Sequence, residues 1–218
     1  MMWMRHVAFF LRILSVFAVV ITISGSHASA QLVLNEILAD PASDWDGDGS
    51  VGSRPDEWVE VLNLGSSSVE LGDYRLGDLS GGYSWRYGFG GTLAPGGVLT
   101  VFGSMSQAWQ TANGYPVAGL SLNNTGDTVL LYKIEGTDTL VADAYSYAAH
   151  EVLDDRSTGR LSGNPVEWRV FDARNPYEGT TPPLGTGCSP SPRLPNDCEP
   201  LVPVEQTTWG AIKELFVD

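Results

Sequence analysis

Asp44, Asp46 and Asp48 fall at every second position of a short acidic stretch, DWDGDG, with Gly47 and Gly49 between and after them. Carboxylates spaced this way on a glycine-containing loop can converge on one hard cation. Calcium takes six to eight oxygens from a flexible loop. Counted from Asp44, the acids occupy positions one, three and five and Gly49 position six, as in the first half of an EF-hand loop. The second half departs, because position twelve is Pro55 and the next acids are Asp56 and Glu57. Apolar runs flank the loop where an EF-hand would have helices, so the expected site is a calcium loop between strands. Its ligands would be Asp44, Asp46, Asp48, a backbone carbonyl near Ser50, and Asp56 or Glu57 to close the shell. The competing reading is a solvated turn in which Asp and Gly serve local conformation alone.

Catalytic chemistry finds few residues to work with. Of three histidines, His6 and His27 lie in the first thirty residues, leaving His150 for any Ser-His-Asp or Cys-His site. G-x-S-x-G and H-E-x-x-H do not occur. The run His150-Glu151 near Asp154 and Asp155 reads as a solvated loop. A carboxylate pair could still hydrolyse glycosides without histidine. Trp45, Trp58, Trp85, Trp109 and Trp168 could supply sugar-stacking faces, although Trp58 and Trp168 lie in strand patterns and read as core. Asn123-Asn124-Thr125 is a formal glycosylation sequon.

The elements that must position these residues are strands. LVLNEIL and EWVEVLNL alternate apolar and polar residues in part, as half-buried strands do. Strands are expected at 32–38, 57–64, 67–71, 74–79, 84–89, 98–102, 127–134, 140–147 and 168–171. Ala94-Pro95-Gly96-Gly97 and Glu135-Gly136-Thr137-Asp138 are turns, the latter joining a hairpin. A helical turn is expected over 106–114 around Trp109. Short strands at this spacing predict an all-β sandwich.

Several of these pieces together resemble a known family. The Asn-Glu-Ile strand with its Ala-Asp-Pro exit, the DxDGDG loop, Asp-Glu-Trp-Val-Glu, the Leu-Ala-Pro-Gly-Gly and Val-Phe-Gly run, and NNTGDTVLLY look like the lamin-tail domain of bacterial secreted proteins. The likeness covers about residues 32–184 and thins over VEWRVFDARNPYEGTTPPLG. It implies an immunoglobulin-like β-sandwich without catalytic machinery of its own.

Residues 1–30 read as a secretory signal: Arg5 and Arg12, an apolar run to Ile23, and Ala28-Ser29-Ala30 as the exit before Gln31. Removing them takes two arginines and no acid, so the net charge of −14 becomes −16. So acidic a chain is unsuited to phosphate backbones, which require Lys and Arg clusters, and nucleic acid is not an expected partner. After cleavage no segment is apolar for long enough to span a bilayer. From residue 185 the sequence is rich in Pro, Gly and Ser and reads as a linker or extended tail. Cys188 and Cys198 lie in it, and an even pair in an exported chain suggests a disulfide. The tail ends in TTWGAIKELFVD, a short amphipathic helix that either packs back on the domain or serves as a docking or sorting tag.

The expected organisation is a signal at 1–30, a sandwich at 31–184 and a tail at 185–218. The expected function is non-catalytic: a binding or adhesion module, secreted or at the cell surface, with a calcium-stabilised loop and a protein or glycan partner. The alternative is a carbohydrate-directed protein, either a sugar-binding module or a carboxylate-based hydrolase.

Overall fold

The computed structural model describes residues 32–78 and 84–198. The expected signal and the terminal amphipathic segment lie outside them. Eleven strands are described: β1 (Leu32–Leu38), β2 (Trp58–Asn63), β3 (Val69–Glu70), β4 (Tyr74–Asp78), β5 (Ser84–Gly88), β6 (Thr92–Leu93), β7 (Val98–Phe102), β8 (Gly126–Glu135), β9 (Asp138–Ala148), β10 (Ser157–Leu161) and β11 (Asn164–Phe171). One helix, α1 (Gly103–Ala112), follows β7. The expected strands at 32–38 and 98–102 and the 135–138 hairpin are found. In that hairpin Glu135 pairs with Asp138 across Gly136, whose φ of 64° suits a two-residue turn. The helix is longer than expected and starts three residues earlier. Strands β6 and β10 were not foreseen.

Two antiparallel sheets make the sandwich, in the orders β11-β10-β1-β2-β7 and β5-β4-β8-β9, with a small β3-β6 ribbon beside them. Their inner faces supply one apolar cluster: Leu34, Ile37, Val59, Val61 and Val101 from the first sheet meet Leu76, Val129 and Leu131 from the second. Period-two alternation places these side chains inward. A bulge between Leu34 and Glu36 shifts the phase once, so that Ile37 also points to the core. The turn Ala94-Pro95-Gly96-Gly97 is fastened to β2. Asn63 accepts the Gly96 amide at its carbonyl and donates its side-chain amide to the Ser67 and Leu93 carbonyls.

All seven residues of β1 are buried, so the outer face of the first sheet is covered as well as the inner one. Its cover is the Pro/Gly-rich stretch. Gly185 bridges to Val170, and Asp172 draws in the amides of Thr186 and Gly187 at 3.1 and 2.7 Å. The chain then crosses β10, β1 and β2 to Arg193, whose guanidinium lies 4.7 Å over the Phe102 ring. It returns through the buried Asn196, and a Cys188–Cys198 disulfide closes the loop. Residues 185–198 are therefore a strap on the sandwich and not the linker that composition suggested. Their attachment is polar, and a hydrophobic pattern has no means of announcing it.

Candidate functional site

The loop between β1 and β2 is built from its base upward. Asp56 is fully buried, and its carboxylate accepts the amides of Trp45 and Asp46 on one oxygen, at 2.7 and 3.0 Å, and that of Gly52 on the other, at 2.7 Å. A buried carboxylate in this position gathers the loop by charge-assisted bonds. A second carboxylate holds the near side. Asp155 accepts the Ala42 and Ser43 amides, the Ser43 hydroxyl and the Trp45 indole N–H, and Arg174 lies 3.4 Å away. Burial opposes ionisation of Asp155, yet these donors and Arg174 outweigh it and hold the carboxyl below its usual range. Asp155 keeps a φ of 53°, a backbone strain fixed by this network. Trp45 consequently lies between the Arg174 guanidinium, 4.7 Å from its ring, and the edge of Trp58 at 6.1 Å. It packs over the loop base.

On that base the tip folds on itself. Asp44 accepts the Gly47 and Gly49 amides at 2.8 and 2.9 Å, Asp46 that of Asp48 at 3.0 Å, and Asp48 that of Ser50 at 2.8 Å. Gly47 and Gly49 have φ of 82° and 92°, a region costly for residues with a Cβ. The outcome is that one oxygen each from Asp44, Asp46 and Asp48 lies within 4.8 Å of the others. Oxygens bound to one calcium at 2.3–2.6 Å are no more than about 5 Å apart, so the three fit a single ion.

Two expected ligands are not in this group. Asp56 is spent on the loop's own amides. Glu57, next in sequence, points the other way, where it accepts the Leu122 amide at 3.3 Å, and burial pushes its carboxyl up to about 8. Asp56 faces the loop amides and Glu57 the Leu122 amide, so both could not have closed one shell. Asp155, which sequence reasoning treated as solvated, is structural. Most of its partners lie 110 to 113 residues away, and no local pattern signals them. Glu151 is likewise buried, accepting the Tyr145 and Thr158 hydroxyls at 2.7 and 2.8 Å.

The aromatic residues pair within the chain. Trp168 stacks on Tyr145 at 3.4 Å, Trp85 meets Tyr132 edge-on at 5.3 Å, and Trp109 stacks on Tyr115 at 5.2 Å. Glu36 and Glu60, cross-strand neighbours, are both fully buried under the strap and open on no cleft. Among the described residues no helix is long and apolar enough to cross a membrane.

Comparison with known proteins agrees with this architecture. The family model of the Lamin Tail Domain matches residues 25–149, which include the Asp loop and the strands through β9. No curated protein and no solved structure gives a match. The model covers more than half of the chain, and its immunoglobulin-like sandwich is the fold described above: the chain belongs to the lamin tail domain family.

Proposed function

We propose that this chain is an exported, non-catalytic binding or adhesion module whose acidic loop is stiffened by calcium. The family supports a binding module of immunoglobulin-like fold. The observation that carries the calcium reading is the convergence of the Asp44, Asp46 and Asp48 oxygens on a tip anchored by Asp56. Three carboxylates this close repel one another in the absence of a cation. The described ligand set holds no fourth carboxylate, so carbonyls and water complete the shell. The expected affinity is that of extracellular modules, ~10⁻⁴ to 10⁻³ M. The net charge and the signal-like first thirty residues favour work outside the cell on a partner other than nucleic acid. Calorimetric titration with calcium, on the wild type and on Asp46→Asn with Asp48→Asn, is the test. A saturable isotherm lost in the double variant supports the reading, and no heat beyond dilution in the wild type ends it.

A glycan partner is favoured by one observation. Tyr115, stacked on Trp109, is 39% exposed and neighbours Val117 at 58%. The outward face of Tyr115 would stack on a sugar ring. Loss of glycan-array signal in Tyr115→Ala supports this reading, and an unchanged array refutes it.

A further inference from the structure

Glu36 and Glu60 face each other across β1 and β2, fully buried, and the strap supplies half of their contacts. Glu60 is served by true donors alone: the Asn35 side-chain amide at 2.7 Å, the Thr100 hydroxyl at 2.5 Å and the Arg193 amide at 2.7 Å. Glu36 differs. One of its oxygens accepts the Ser157 hydroxyl and the Ser191 amide. The other lies 3.0 Å from the Ser191 hydroxyl, which is also 3.0 Å from the Asn196 side-chain carbonyl. The orientation of that amide is set, because its nitrogen donates to the Asn35 and Arg160 carbonyls at 3.4 and 2.9 Å. Ser191 has one hydroxyl hydrogen and stands between two acceptors. Both contacts are satisfied only if Glu36 carries a proton and donates it to Ser191, which in turn donates to Asn196.

We propose that the disulfide-closed loop of residues 188–198 is a pH-released strap, pinned to the sheet by the neutral carboxyl of Glu36. The proton's place in the Glu36–Ser191–Asn196 chain is what holds the loop down. Gly159 makes room for it, since a Cβ there would come within 2.7 Å of the Asn196 amide and 2.8 Å of Glu36. The charged groups sharing this face are Glu60 on β2, Arg169 on β11, ion-paired with Glu167, and Arg193 on the strap itself. Asp172 is occupied by the amides of Tyr177, Thr186 and Gly187. Among the described residues no cation is hydrogen-bonded to Glu36, so ionisation there adds buried negative charge beside Glu60, whose own carboxyl burial also pushes up. Burial, and then Glu60, push the Glu36 carboxyl up to about 8, against the Ser157 and Ser191 donors. The docked strap therefore prefers the protonated form. Its docking is strongest below the ordinary carboxylate range and weakens as pH rises toward 8, levelling above it. Release would lift Arg193 from the Phe102 ring, now buried.

Hydrogen exchange at the Ser191 and Arg193 amides, corrected for intrinsic rates and followed from pH 5 to 9 on the full chain, tests this. Protection should fall by up to tenfold per pH unit and level near 8. Glu36→Gln keeps the shape of the neutral acid, with an amide N–H in place of the O–H, and should remove most of that slope while keeping the protection seen at pH 5. Constant wild-type protection, or an undiminished slope in the variant, overturns the proposal. Carboxyl-carbon NMR of the wild type decides it even if the variant does not fold. A Glu36 signal at the protonated position at pH 6.5 supports the pin, and one at the carboxylate position contradicts it.

Discussion

The Asp44–Asp46–Asp48 tip and the Glu36–Glu60 row are both carboxylate clusters, and the protein treats them oppositely. The tip is largely open to solvent, its oxygens accept local amides, and its charge is tolerated by water or met by a cation. The row is sealed under the strap, where an unpaired ion costs several kcal/mol, and there the solution is a proton and neutral donors. Burial decides which remedy a carboxylate cluster receives. Residue type alone does not, and the two regions can be broken independently to show it.

The strap should be the more costly to lose. A chain ending at Leu184 loses the Ser191 and Arg193 donors and the Arg193 cover of Phe102. The three hydrogen bonds that the strap makes to these carboxyls, at roughly 1 kcal/mol each, are worth about 3 kcal/mol before the apolar area is counted. Denaturant unfolding of 31–184 against 31–198 should show the shorter chain at least that much weaker, or without a cooperative transition. Equal stability would mean that the strap is ornamental.

That outcome could not be anticipated from sequence, for physical reasons. Glu36 and Glu60 sit at the polar positions of alternating strands, where the pattern says solvent. Strand β10, STGRL, lies between β1 and β11 yet has no apolar alternation, because Ser157 and Thr158 face Glu36 and Glu151. The strap binds through serine, asparagine and backbone, which look like linker. Elements that bury apolar side chains, such as β1, β7 and the β8–β9 hairpin, were legible. So was the Asp tip, whose contacts span five residues or fewer. Its supports, Asp56 and Asp155, were not, since one was mistaken for a ligand and the other's partners are remote in sequence.

At the tip the largest effect belongs to the support. Asp56→Asn removes the charge that gathers three amides and should cost about 3 kcal/mol, read from chemical denaturation. Replacing Cys188 and Cys198 by serine opens a loop with a separation of 10 residues and should cost about 2–3 kcal/mol, again from denaturation. Asp155→Asn should cost about 2 kcal/mol near neutrality. Because the folded-state carboxyl of Asp155 is held below its ordinary value, that contribution is present above the ordinary range and lost as pH falls through the depressed value. Wild type and Asp155→Asn should thus converge in melts taken below that depressed value.

The most direct test of the calcium-stiffened loop is a thermal melt of the wild type and of Asp46→Asn with Asp48→Asn, in chelator, in calcium and in magnesium. At tenfold excess over the dissociation constant, calcium should stabilise the wild type by about 1.4 kcal/mol. For a domain of this size that is a rise of roughly 3–6 °C. Magnesium, which holds its waters and demands octahedral geometry, should do less, and the double variant should not respond. A wild-type melting temperature that is the same in chelator and in calcium would contradict the account and leave the three aspartates a solvated turn.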